Sequence, residues 1–162
     1  MTLTRSEVED VLFQEAEFLD SWQLMEWAEM YTEDSFYEVT SPACSDPYTA
    51  DARNTLFLIS DRIDRIRGRA KRLLKKTAHA EYPHSKTRHM VSNVRVVEAD
   101  GDTTKVRANF AVFRTKEDNS TIYMGEAFIT LLETPDGVKI QHKRCVLDIN
   151  SLYNQGRLTI IL

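Results

Sequence analysis

Residues 87–149 decide the fold and read TRHMVSNVRVVEADGDTTKVRANFAVFRTKEDNSTIYMGEAFITLLETPDGVKIQHKRCVLDI. Residue types that favour β-strands are concentrated near 87–98, 103–115, 121–133 and 138–149. Short polar segments of the kind that close antiparallel hairpins separate these stretches, namely Asp100-Gly101, residues 116–120 and Pro135-Asp136-Gly137. The pattern predicts an antiparallel meander.

Apolar residues recur at every second position of these strands, which indicates a sheet with at least one covered face. The residues that carry this alternation are Val94, Val96, Val106, Ala108, Phe110, Val112, Ile122, Met124, Phe128 and Leu132.

The chain before residue 75 has mainly helical spacing. Thr4-x-x-Glu7 has the spacing of a capping box and precedes apolar residues at helical intervals, which predicts a helix over about 5–20. A second short helix is predicted near 22–31, and strand-like residues follow at 35–39. Apolar residues three or four apart predict a third helix from Leu56 to Leu74.

Helices first and a sheet last indicate an α+β fold. With 162 residues, the chain has the length of one domain, which we assign to 1–162. The prediction is a set of N-terminal helices packed on a curved, mainly antiparallel sheet that closes like a cone.

The composition is that of a folded globular chain, because 42% of the residues are apolar and only nine are Gly or Pro. A net charge of −4 gives no support for general nucleic-acid binding. No apolar run approaches the roughly 20 residues that span a bilayer. We therefore predict a cytoplasmic protein without nucleic-acid or membrane partners.

Charge is distributed unevenly along the chain. Residues 1–38 contain eleven acidic side chains against one basic side chain, Arg5, whereas residues 62–76 contain eight basic side chains against Asp64. The two segments could pair within one molecule or across an interface. A solvated or paired basic face is favoured over a nucleic-acid-binding helix, since neither interleaved aromatic residues nor a Gly-rich phosphate loop accompanies it.

Three evenly spaced histidines, His79, His84 and His89, raise the question of a metal site. Steps of five residues do not bring imidazoles to one face of a helix or a strand, so an iron site completed by Asp148 or Glu81 is disfavoured. A Rieske cluster needs two cysteines and two histidines, and Cys44 and Cys145 have no histidine of that kind beside them. We predict no metal, cofactor or catalytic residue in this chain.

An acid–base site inside the cone is the enzymatic alternative. Tyr37, Asp61, His142 and Asp148 could face an apolar pocket and serve a stand-alone isomerase or dehydratase. Structural hydrogen bonding is the commoner use of such groups.

The last residues, 158–162, read LTIIL and are almost entirely apolar. A free segment of this kind would favour aggregation, so we expect it to be an edge strand or to lie against a partner.

Residues 82–94, YPHSKTRHMVSNV, resemble the Pro-x-Ser-x-Thr-Arg-His stretch of the small (beta) subunits of aromatic-ring-hydroxylating dioxygenases. Residues 31–39, 56–74 and 143–152 resemble other segments of that family in the same order. His79 departs from the family pattern, in which a Trp is usual.

This resemblance implies a cystatin/nuclear-transport-factor-2-like cone. It also implies a homotrimer beneath three large (alpha) subunits in an α3β3 hexamer. The large subunits would hold the Rieske [2Fe–2S] cluster and a mononuclear Fe(II) that adds both atoms of O2 to an aromatic ring, giving a cis-diol. The small subunit would be structural and carry no cofactor.

Five residues near the resembling segments are the candidates for subunit contacts or for the architecture of the sheet: Arg88, His89, Asn93, Arg144 and Asp148. Strand alternation predicts that His89 and Asn93 share one face and that Arg88 lies on the other.

Overall fold

A computed structural model describes residues 2–41, 44–148 and 158–162. Its elements in chain order are α1 Arg5–Asp20, α2 Leu24–Glu29, β1 Tyr31–Thr40, β2 Phe57–Arg62, α3 Ile63–Leu73, β3 Lys86–Asp100, β4 Thr103–Lys116, β5 Asn119–Thr134 and β6 Gly137–Leu147. None of the described helices has the length and apolar composition needed to cross a membrane.

The described strands form one six-stranded sheet in the order β2-β1-β6-β5-β4-β3. Strands β3 to β6 pair antiparallel with their sequence neighbours, which confirms the predicted meander. Strand β1 joins the meander by pairing parallel with β6 and carries β2 on its other side. The predicted α+β class is confirmed.

The core lies between the helices and one face of the sheet. Helix α1 packs against β3, and α2 packs against both α1 and α3. At the centre, Trp27 is fully buried and its indole meets the rings of Tyr31 and Tyr37 edge-on, at centroid distances of 5.2 and 5.9 Å.

The capping box predicted for α1 is confirmed. The Thr4 hydroxyl accepts from the backbone N–H of Glu7 at 3.3 Å, and the Glu7 carboxylate accepts from the backbone N–H of Thr4 at 2.8 Å. This exchange satisfies two backbone donors at the helix start, where no helical partner exists.

The predicted third helix is wrong in its first part. Residues 57–62 form strand β2, in which Phe57, Ile59 and Asp61 are buried and the residues between them are exposed, and α3 begins only at Ile63. Leu56, which began the helical pattern, is 84% exposed. Ile59 fits the period of a helix and also that of a strand, so the spacing of apolar residues alone predicted a helix where the chain forms a strand.

The predicted covered face of β5 is also wrong. Tyr123, Ala127, Ile129 and Leu131 are buried, whereas Ile122 and Met124 are exposed on the other face. Both faces of this strand carry apolar residues, so alternation alone does not identify the one that meets the core.

A break in β3 overturns the predicted shared face of His89 and Asn93. Asn93 has a φ of 54°, and the β3–β4 register shifts between Ser92 and Arg95. Thr87 and His89 point toward the core side before this bulge, and Val94 does so after it. The extra residue reverses the alternation, which leaves Asn93 exposed.

The apolar segment 158–162 lies inside its own chain, which corrects the expectation of an edge strand or a partner contact. Ile160, Ile161 and Leu162 are buried. The backbone N–H of Leu162 donates to the Tyr37 hydroxyl at 3.1 Å, and its carbonyl accepts from Lys143 Nζ at 3.0 Å. The segment therefore fills the interior of the cone and gives no support for oligomerisation.

Candidate subunit interface

Residues 83–89, the Pro-x-Ser-x-Thr-Arg-His stretch, anchor β3 to the helical layer. The Asp20 carboxylate at the end of α1 accepts from His89 Nδ1 at 2.6 Å, from the His89 backbone N–H at 3.1 Å and from the Thr87 hydroxyl at 3.0 Å. On the other side of the ring, His89 Nε2 lies 2.7 Å from the carbonyl of Ile161. The two ring nitrogens therefore face oxygens of two different elements, so His89 ties α1 to the 158–162 segment.

These contacts set the protonation of Asp20. Burial raises the pKa of its carboxyl, but the hydrogen bonds from His89 and Thr87 together outweigh burial and hold the pKa below the ordinary 3.8. A carboxyl with a lowered pKa in the folded state stabilises the fold above its unfolded pKa, and this contribution is lost as the pH falls through the lowered value.

Asp20→Asn tests this anchor. The variant is expected to lose about 1–3 kcal/mol of unfolding free energy near neutral pH, because it removes a charged acceptor of several hydrogen bonds. The difference from wild type should shrink as the pH falls below about 3.8 and then through the lowered pKa of the folded carboxyl, because protonation removes the charge of the wild type as well. Urea titrations between about pH 7 and about pH 3 measure it. Asp10→Asn, at an exposed position of α1, is the matched control, and equal behaviour of the two variants would contradict the anchor.

A fully buried carboxylate, Glu81, completes this anchoring region. Glu81 accepts from the Ser85 hydroxyl at 2.6 Å, from Arg114 Nε at 2.7 Å and from the Thr159 hydroxyl at 2.5 Å. The carbonyl of Ser85 accepts from the indole N–H of Trp22 at 3.1 Å. Together with the Asp20 contacts, these bonds join β3, β4, the end of α1 and the 158–162 segment.

The remaining interface candidates lie apart from this region. Arg88 is exposed on the outer face of β3, and Asp148 is exposed just after β6, where its backbone N–H donates to the carbonyl of Met124 at 2.9 Å. Arg144 lies on the interior strand β6, beside β1. It donates to Glu38 at 3.2 Å and to the carbonyl of Tyr48 at 3.3 Å, so it holds the loop before β2.

The four residues of the alternative acid–base pocket are not brought together. Tyr37 and Asp61 face the helical side of the sheet, His142 lies on the outer side against Glu38, and Asp148 is exposed. Tyr37 accepts from Leu162, and burial raises the pKa of its phenol well above the ordinary value. Asp61 binds Arg69 at 2.7 Å. The interior that such an enzyme would use is occupied by the 158–162 segment.

The histidines are likewise separated. His84 stacks on Trp22 with ring centroids 4.0 Å apart, and His89 is held by Asp20. In the described ranges, no group of three or more His, Cys, Asp or Glu side chains is placed to hold a metal ion.

The outer face of the sheet carries an apolar surface. Met90, Phe113, Ile122 and Met124 are between 44% and 57% exposed. Pairing places Phe113 between Arg88 and Ile122, and Ala111 between Met90 and Met124. These six residues form two adjacent rows across β3, β4 and β5, which we call the outer patch. Clustered exposed apolar side chains mark interaction surfaces.

The sequence predicted Arg88 as a contact residue, but it did not predict that the other five residues of the outer patch form an exposed surface. The signal was present, because β5 is apolar at both its odd and its even positions. A strand that is apolar on two faces needs cover on both.

Helices packed on one face of a mainly antiparallel sheet are the arrangement of nuclear-transport-factor-2-like folds. The fold matches a solved NTF2-like protein with a cystatin-like fold from Novosphingobium aromaticivorans, with a TM-score of 0.64, 18% identity and coverage of 95% of this chain and 88% of that one. The family model for the ring hydroxylating beta subunit matches residues 14–154, and the chain belongs to this family.

Relatives agree with this membership. The chain is 46% identical over 160 residues to the small oxygenase component of the p-cumate 2,3-dioxygenase system of Pseudomonas putida, covering 99% of this chain and 88% of the relative. It is also similar to the beta subunit of the benzoate 1,2-dioxygenase of Burkholderia mallei, with a TM-score of 0.76, 24% identity and coverage of 91% and 93%. The chain is thus the small subunit of the terminal oxygenase of an aromatic-ring-hydroxylating dioxygenase.

Proposed function

We propose that this subunit is structural and that it supports a large subunit which carries out the cis-dihydroxylation of an aromatic compound. The outer patch is the observation that carries the proposal, because clustered apolar side chains exposed on a sheet favour contact with another protein. Because the chain belongs to the beta-subunit family, we expect the large subunit to cover the outer patch. The large subunit would hold the Rieske [2Fe–2S] cluster and the mononuclear Fe(II).

The composition of the outer patch suits a heteromeric contact. Two methionines, a phenylalanine and an isoleucine supply adaptable apolar area, and Arg88 supplies a cation among them. Among the described residues, the Arg88 side chain has no hydrogen-bond or ion-pair partner. A carboxylate of the large subunit placed against Arg88 would fix the register of the contact.

A homotrimer within an α3β3 hexamer is the assembly we infer for this cytoplasmic enzyme. Part of the charge asymmetry is satisfied within the chain, since Arg67 binds Glu33 and Arg69 binds Asp61. The exposed bases of α3 and the residues after it have no carboxylate partner among the described residues, and they supply charge for contacts between copies: Lys71, Arg72, Lys75 and Lys76.

Coexpression with the large subunit tests the proposal. The two chains should copurify, and iron and acid-labile sulfide should follow the large subunit only. The small subunit expressed alone should contain no stoichiometric iron, should not hydroxylate aromatic compounds, and should sediment as a trimer at micromolar concentration. A small subunit that purifies alone with a cluster spectrum, or one that never retains the large subunit, would contradict the structural role.

A further inference from the structure

A cleft of about 980 Å³ lies on the outer side of β2, β1 and β6, at the opposite end of the sheet from the outer patch. Its lining includes Glu38, His142 and Arg144 from the strands, residues 50–53 from the loop before β2, and residues 64–65 from α3. A cleft of this volume accommodates a small organic molecule.

Two of the three carboxylates in the lining are already neutralised. Glu38 binds His142 Nε2 and Arg144, and these contacts outweigh its burial and lower the pKa of its carboxyl. Asp51 binds Arg53 at 2.7 Å, and this contact lowers the pKa of Asp51 to about 2. The third carboxylate, Asp64, is exposed.

Cationic donors remain after this pairing. The guanidinium of Arg62 lies 4.8 Å from the centroid of the Phe36 ring, and it has no carboxylate partner among the described residues. Arg65 is 3.5 Å from Asp61, whose other oxygen is bound by Arg69 at 2.7 Å. Within the described chain, the buried Nε of Arg144 has no hydrogen-bond partner. The lining therefore contains more hydrogen-bond donors than its own acceptors satisfy.

Apolar surface lies next to these donors. Phe36, Ala50 and Ala52 also line the cleft, and the Phe36 side chain is 37% exposed. Guanidinium groups beside an aromatic ring bind a planar carboxylate by charge-assisted hydrogen bonds while the body of the ligand lies on apolar side chains.

We propose that this cleft is a binding site for a small aromatic carboxylate. Arg62 and Arg65 receive the carboxylate, and Phe36, Ala50 and Ala52 contact the ring. Such a site would let a small organic acid bind the structural subunit at a position separate from the outer patch.

Benzoate is the probe, benzamide is the neutral control, and isothermal titration of the full-length chain is the first measurement. Benzoate should bind with a dissociation constant in about the millimolar range or below. Arg62→Gln should weaken binding at least about tenfold, since a charged hydrogen bond is lost. Arg72→Gln, the same change at an exposed position of α3 outside the cleft, should leave binding unchanged. Equal binding by the two variants, or equal affinity for benzamide, would overturn the proposal.

Equilibrium dialysis of the coexpressed oxygenase tests whether the cleft binds a free small molecule in the assembly or is instead covered by the large subunit. At a benzoate concentration equal to the dissociation constant of the wild-type chain, the assembly that carries Arg62→Gln should hold less benzoate per small subunit than the assembly that carries Arg72→Gln. Equal counts would show that the large subunit covers the cleft, which overturns a small-molecule site. The same preparations report copurification of the large subunit, so a failure of assembly is distinguished from a failure of the cleft.

Discussion

Replacing Lys143 by methionine is expected to lower the free energy of unfolding by about 3–5 kcal/mol. Lys143 Nζ lies 2.9 Å from Glu15 Oε2, and both side chains are buried. Burial lowers the pKa of Lys143, but the charge and the hydrogen bond of Glu15, together with Cys145, outweigh burial and raise the pKa above its ordinary value. Without the lysine, the buried Glu15 carboxyl keeps the hydrogen bonds from Trp27 and Tyr31, at 3.1 and 3.3 Å, but loses its cationic partner.

Thermal and urea unfolding of three variants measure this effect. Lys143→Met alone should cost most, and the double variant Lys143→Met with Glu15→Gln should cost less than the sum of its two single changes, because both charges are then absent. Lys71→Met, at an exposed position of α3, should change the unfolding free energy by no more than about 0.5 kcal/mol. A Lys143→Met variant as stable as Lys71→Met would show that the buried pair is not formed.

Replacing Gly125 by alanine should also be severe, with a cost of about 3 kcal/mol or more. Gly125 in β5 lies opposite Leu147 in β6, and a Cβ at this position would collide with the carbonyl oxygen of Val146. The colliding atoms are backbone, so relief requires β5 and β6 to separate, and β6 holds the meander to β1.

Gly68→Ala is the matched control for Gly125→Ala. Gly68 lies in α3, and a Cβ there meets no atom within 4 Å, so the change should stabilise the helix by about 0.5–1 kcal/mol. The measurements are the soluble yield and the midpoint of thermal unfolding, which remain informative if Gly125→Ala fails to fold. Similar values for the two alanine variants would refute the close approach of β5 and β6.

Features determined by nearby residues could be predicted from the sequence. The capping box of α1 joins residues three apart, and each hairpin of the meander closes over a short polar turn. The identity of the covered face of β5 could not be predicted, because Ile122 and Tyr123 are both apolar enough to be buried. The bulge at Asn93 depends on a local backbone conformation that alternation does not encode.

The contacts of the candidate site could not be predicted from the sequence for a different reason. His89 reaches both Asp20 and Ile161, and Tyr37 reaches Leu162, through pairs that lie far apart along the chain. Only the closed fold brings these groups together. The family resemblance drew attention to the segment that contains His89, but it did not distinguish a structural anchor from a subunit contact.

Copurification of the large subunit with outer-patch variants tests the central claim most directly. Ile122→Asp and Met124→Asp place a charge on exposed side chains of the patch, so the subunit should fold with a nearly unchanged unfolding midpoint. Each should reduce the amount of large subunit retained at least about tenfold, since a buried unpaired charge is costly at an interface.

Val97→Asp is the control, because Val97 is an exposed apolar residue outside the outer patch. It lies in β3, seven residues after Met90. It should retain the large subunit as wild type does. Normal retention by Ile122→Asp and Met124→Asp, with both variants folded, would contradict the assignment of the outer patch as the surface that supports the large oxygenase subunit.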